Sequence, residues 1–105
     1  MFMAHDGGYR VVLVESFRPN STAGLHGLIH MRPLPNQGLS TTLHVECSKS
    51  LSYDHPLGSI FKIRAKLTDR NGGGKYLYSH HKWTFEKMTL KEAKVFIKNH
   101  GPWSW

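Results

Sequence analysis

Cysteine is nearly missing from this chain: Cys47 is the only one among 105 residues. An internal disulfide is thereby excluded, a zinc site built on thiolates lacks ligands, and a reducing compartment fits best. Long apolar runs are missing too. Even residues 11–14, unsurpassed in length by any other run, fall far below the ~20 residues of a membrane-spanning helix. The opening residues, Met1 to Gly8, lack the basic region and apolar block of a secretory signal. The resulting expectations are a cytoplasmic protein and no membrane partner.

Acidic residues are the third scarcity, and this one is local. Residues 62–98 hold ten Lys and Arg against three acids, Asp69, Glu86 and Glu92, which accounts for the whole net charge of +7. Elsewhere Arg10, Arg18, Arg32 and Lys49 balance Asp6, Glu15, Glu46 and Asp54. Positive charge confined to one part of a small protein concentrates polyanions far more than scattered charge does, so the asymmetry points to an anionic partner.

Apolar residues, 39% of the chain, are interleaved with polar ones, the pattern of a globular rather than a disordered protein. A chain of this length has room for a single domain, residues 1–105, with one modest core. Period-two alternation dominates. It is clearest over residues 58–68, where Phe61, Ile63, Ala65 and Leu67 alternate with Lys62, Arg64 and Lys66, giving a half-buried strand with a cationic outer face. Residues 42–48 repeat the logic, with Leu43, Val45 and Cys47 opposing His44, Glu46 and Ser48. Residues 9–17 are apolar on both faces, as in a doubly covered strand, and residues 25–31 form a partner that Pro33 and Pro35 end.

Asn71-Gly72-Gly73-Gly74 reads as a hairpin turn into a strand over residues 75–79, which residues 83–88 continue past a kink at His80-His81-Lys82. Thr89-Leu90-Lys91-Glu92 is a capping box. Met88 staples onto Ala93, and Leu90, Ala93, Phe96 and Ile97 form an apolar helical stripe that Gly101-Pro102 closes. These elements predict a mainly β (α+β) fold. It is a small antiparallel barrel of five or six strands, OB- or SH3-like, over residues 9–88, with one C-terminal helix over 89–100 covering an end or an open edge. Residues 1–8 read as a flexible N-terminus and 101–105 as a tail. A helix placed last departs from the usual OB order, in which it follows the third strand.

The candidate nucleic-acid-binding residues are Lys62, Arg64, Lys66, Arg70, Lys75, Tyr76, Tyr78, His80, Lys82 and Trp83. Lys62, Arg64 and Lys66 share a strand face at roughly 7 Å spacing, near that of successive phosphates along an extended single strand. Tyr76, Tyr78 and His80 share a face of the next strand, with Lys82 and Trp83 close behind and Arg70 and Lys75 flanking the turn. If register brings both sets to one side, the cations hold a phosphate backbone while rings stack on bases at ~1–3 kcal/mol each. Lys91, Lys94 and Lys98 on the helix extend the phosphate track. The expected function is a non-enzymatic module binding single-stranded DNA or RNA with low sequence specificity. The alternatives are a protein-interaction module or homodimer whose basic face serves solubility or an acidic partner, a small enzyme whose site is assembled only at a subunit interface, and a merely solvated strand face with the tyrosines in the core. Register decides between them.

No catalytic residue, metal or cofactor is expected. His26 and His30 lie roughly 13 Å apart along one strand face, too far to share an ion, and His80 and His81 point to opposite sides. Cys47 sits in the apolar register of its strand, where a thiol is inert. Ser52, Asp54 and His55 read as an Asx turn into Pro56. The glycine-rich stretch precedes no helix and lacks the Lys-Ser or Lys-Thr ending of a phosphate-binding loop. Trp103 and Trp105 either fold back over the barrel or join a binding surface.

Overall fold

In a computed structural model the structure describes residues 8–19, 29–69, 74–80 and 82–101. The expected residues 1–8 arm up to Gly7, the early part of the second strand with His26, the turn with Arg70, His81 and the two tail tryptophans lie outside them. The fold is mostly β. Among the described residues six strands, β1 (Arg10–Phe17), β2 (His30–Pro33), β3 (Val45–Glu46), β4 (Ile60–Asp69), β5 (Lys75–Tyr78) and β6 (Glu86–Met88), form a nearly closed, barrel-like sheet. A one-turn helix, α1 (Ser50–Tyr53), and the C-terminal α2 (Leu90–His100) complete it.

Alternation along β1 and β4 builds two cores from one sheet. Arg10 faces Ala65, Val12 faces Ile63 and Val14 faces Phe61 across an antiparallel pair. Val12, Val14, Phe61, Ile63 and Ala65 close the barrel interior with Met31, Val45, Leu51 and Leu77. Leu13 and Ile60 point the other way and are buried with Leu34 and Ala93 under α2, against which Met88, Phe96 and Ile97 also pack. Hence Val12, Leu13 and Val14 all have 0% of their surface exposed. A doubly covered strand is the arrangement that apolar residues on both faces require.

From Val14 onward β1 pairs with β2 on the edge opposite β4, but on that edge no strand reaches Leu13 and a side chain takes its place. Gln37, fully buried, accepts from the Leu13 N–H at 2.8 Å and donates to the Leu13 carbonyl at 2.8 Å and the Leu34 carbonyl at 2.9 Å. Its amide imitates one residue of a neighbouring strand, satisfying backbone groups that burial would otherwise leave costly. Asn36 and Gly38, at φ of 72° and 83°, turn the chain on either side so that Gln37 reaches inward.

The all-antiparallel expectation is corrected at one pair: β3 runs parallel to β5, with Val45 opposite Leu77 and Glu46 opposite Tyr78. One edge of β4 is taken by β1 and the other by β5 and β6, so β3 is left with the outer edge of β5. The strand expected over residues 42–48 shrinks to the two residues that find this partner, although Leu43 and Cys47 still pack on the core. α1 occupies a stretch after the expected 42–48 strand for which the sequence pattern predicts no element.

The break expected at residues 80–82 is larger than a kink. Lys66 faces Tyr78 and Lys62 faces Glu86, so between these two pairs β4 spends three residues where the opposing chain spends seven. The chain leaves the sheet there and returns as β6, later than the expected start at Trp83. α2 follows the expected rules closely. Glu92 N–H donates to Thr89 Oγ1 at 3.0 Å and Thr89 N–H donates to the Glu92 carboxylate at 2.8 Å. Leu90, expected in the buried stripe, is 57% exposed. It lines a groove of about 450 Å³ between α2 and segment 34–36.

Candidate nucleic-acid interface

The outer face of β4 carries the cationic row. Because Phe61, Ile63 and Ala65 fill the barrel, Lys62, Arg64 and Lys66 must project outward together. Each of the three stands over an aromatic ring. The Lys62 ammonium is 5.5 Å from the Phe96 centroid, the Arg64 guanidinium 5.3 Å from that of Trp83, and the Lys66 ammonium 5.4 Å from that of Tyr9. The attraction between cation and ring quadrupole is about 0.5–1 kcal/mol at such partly exposed sites, enough to hold long side chains in a row.

Register places the two tyrosines on this face as well. Lys66 is the cross-strand partner of Tyr78 and Thr68 that of Tyr76, while Leu67 and Leu77 face each other inside. Tyr76 and Tyr78 are half-buried, so the rings are neither core nor free. Between β5 and β6, Trp83 comes back across β4 to Arg64. A turn in which the Trp83 N–H donates to the His80 carbonyl at 3.1 Å sets its position. Tyr9 meets its indole edge-on at 4.7 Å and the His80 ring lies 5.9 Å away.

Between these groups runs a groove of about 640 Å³ lined by Val11, Lys62, Arg64, Lys82, Trp83 and Phe85, with Glu86 at the Lys62 side. Glu86 Oε1 is 3.0 Å from Lys62 Nζ. The structure thus brings together Lys62, Arg64, Lys66, Tyr76, Tyr78, His80, Lys82 and Trp83. It does not bring Lys75, which shares the Leu77 side of β5 and sits opposite Asp69. Arg70 lies outside the described residues.

Two members of the face escaped sequence reasoning. Tyr9 reaches Lys66 only because β1 and β4 pair with Arg10 opposite Ala65, and Phe96 reaches Lys62 only because α2 lies on the sheet. Neither relation leaves a trace in local spacing.

Other sequence-flagged groups are placed elsewhere. At the seam between β2 and β3 the His30 and His44 rings meet edge-on at 6.3 Å and His44 Nε2 is 3.7 Å from Glu46. Among the described residues no group of three His, Cys, Asp or Glu is close enough to hold a metal ion. Cys47 lines that seam, and burial pushes its thiol up to about 11, which keeps it protonated and unreactive at neutral pH. His55 packs edge-on against Phe61 at 5.0 Å and Phe85 at 5.8 Å, a packing role rather than a place in a triad. Among the described residues no helix is long and apolar enough to cross a membrane.

Compared with known protein families, with curated proteins and with solved structures, the chain matches none.

Proposed function

We propose that this chain is a non-enzymatic binding module for single-stranded nucleic acid, DNA or RNA, of low overall sequence specificity, acting in the cytoplasm. One observation carries the reading: Lys62, Arg64 and Lys66 stand in a row on the outer face of β4, each against a ring, with Tyr76 and Tyr78 in register on the same face. Cations at roughly 7 Å intervals match the repeat of an extended phosphate backbone, and half-buried rings beside them offer stacking surfaces to bases. A duplex reader would instead insert a helix or ribbon into a groove. Here α2 is engaged in covering the sheet.

The test is a fluorescence-anisotropy titration with labelled single-stranded DNA, single-stranded RNA and duplex DNA at about 50 and 200 mM salt, where several phosphate contacts change affinity by orders of magnitude. Micromolar or tighter binding of single strands that weakens steeply with salt is expected; no binding even at the lower salt would contradict the proposal. A second reading, a protein-interaction module or homodimer with an acidic partner, draws on exposed Leu90 and the groove it lines beside Lys94 and Lys98. Mass that rises with protein concentration, measured by sedimentation, would favour it.

A further inference from the structure

One residue of the candidate groove is out of place for a surface that only tracks phosphates. Glu86 is the single carboxylate among the groove's described lining residues, and 63% of its side chain is exposed. A negative charge there repels every phosphate that passes, so it weakens indiscriminate backbone binding. A carboxylate does have a use against a base. It accepts from the N–H groups of a base edge, and two parallel hydrogen bonds to one carboxylate add geometric specificity to their strength.

We infer that the groove formed by Val11, Lys62, Trp83, Phe85 and Glu86 takes one unpaired base of the bound strand and prefers guanine. The inference rests on the nucleic-acid reading above and sharpens it. Lys62 Nζ stands 3.0 Å from Glu86 Oε1, so acceptor and donor are presented side by side. The ammonium has three donors and the carboxylate about four acceptor positions, so the ion pair leaves capacity on both groups. Among the described residues Glu86 Oε2 takes no other partner.

The Watson–Crick edge of guanine carries an acceptor, O6, beside two donors, N1–H and N2–H. The carboxylate receives both donors and the lysine donates to O6, three contacts in all. Adenine presents one amino donor beside a ring acceptor, cytosine one amino donor beside a ring acceptor and a carbonyl, and uracil one N–H between two carbonyls. Each of these offers the carboxylate one donor in place of two, so the paired contact to Glu86 is lost. Trp83 and Phe85 supply the apolar walls against which the base plane lies, in a space of about 640 Å³. The edge being read is the one hidden in a duplex, so recognition of this kind demands a single strand.

The experiment measures the Kd of labelled U-rich nonamers whose central residue is G, inosine, A, C or U, at about 50 mM salt, for the wild-type chain and for Glu86→Gln. Roughly tenfold tighter binding of the G probe is expected, equivalent to about 1.4 kcal/mol. Inosine, which lacks the N2 amino group, should lose most of that advantage. In Glu86→Gln the overall affinity should hold or rise, because a negative charge is gone, while the preference for G falls to about twofold or less. Three results overturn the inference while leaving the parent reading intact: equal affinity for all probes, preference for another base, or a uniform gain in Glu86→Gln with unchanged ratios. Failure of every probe to bind overturns both readings together.

Discussion

The two faces of β4 are made by neighbouring residues and have opposite chemistry. Inward, Phe61, Ile63 and Ala65 are almost wholly buried and meet β1, β2, β3 and β5 residues in a close-packed interior. Outward, Lys62, Arg64 and Lys66 hold charge at the surface, steadied by rings that come from three different parts of the chain. The period of two divides labour along a single strand: one parity supplies stability and the other is left to meet a partner. Substitutions should therefore separate into those that unfold the protein and those that silence its surface.

The largest effect is expected on the inner face. Phe61→Ala removes a fully buried ring that also anchors His55 and Phe85, and about 3–5 kcal/mol should be lost, read as a shift in urea midpoint. Next comes the side chain that stands in for a strand. Gln37→Leu leaves the buried Leu13 N–H without its 2.8 Å acceptor, and roughly 1–3 kcal/mol should follow by the same measurement. Thr89→Ala breaks one half of the capping box of α2 and should lower stability by about 1 kcal/mol, visible as a smaller drop in Tm.

The outer face should behave in the opposite way. Arg64→Ala and Lys66→Ala each forfeit a partly exposed cation–ring contact of about 0.5–1 kcal/mol, so the melting curve should move far less than for the inner-face variants. Their expected signature is in binding, where each lost phosphate contact on a single strand flattens the slope of log affinity against log salt by about 0.7. A large loss of stability in these variants, with binding untouched, would erase the distinction between the two faces.

The legible parts of the fold were those encoded locally. β4 announces itself because strict alternation over its length needs no knowledge of a partner, and α2 because Thr89 and Glu92 lie within one turn of each other. The parallel pairing of β3 with β5 follows from which edges other strands have already taken, a global property that Val45 and Glu46 do not carry in themselves. Gln37 reads as an ordinary loop residue until the missing strand beside Leu13 is known. For the candidate site, the cations were legible and their geometry was not. Tyr76 and Tyr78 needed the register of β5, and Tyr9, Phe96 and the position of Trp83 needed tertiary packing.

Contact between the outer face of β4 and single-stranded nucleic acid is the central proposal. Chemical-shift mapping of the labelled protein with an unstructured RNA oligomer tests it most directly. Shifts concentrated at Lys62, Arg64, Lys66, Tyr78 and the Trp83 indole are expected, reversed by added salt. Shifts confined to Lys91, Lys94 and Lys98 on α2, or no shifts at low salt, would contradict it.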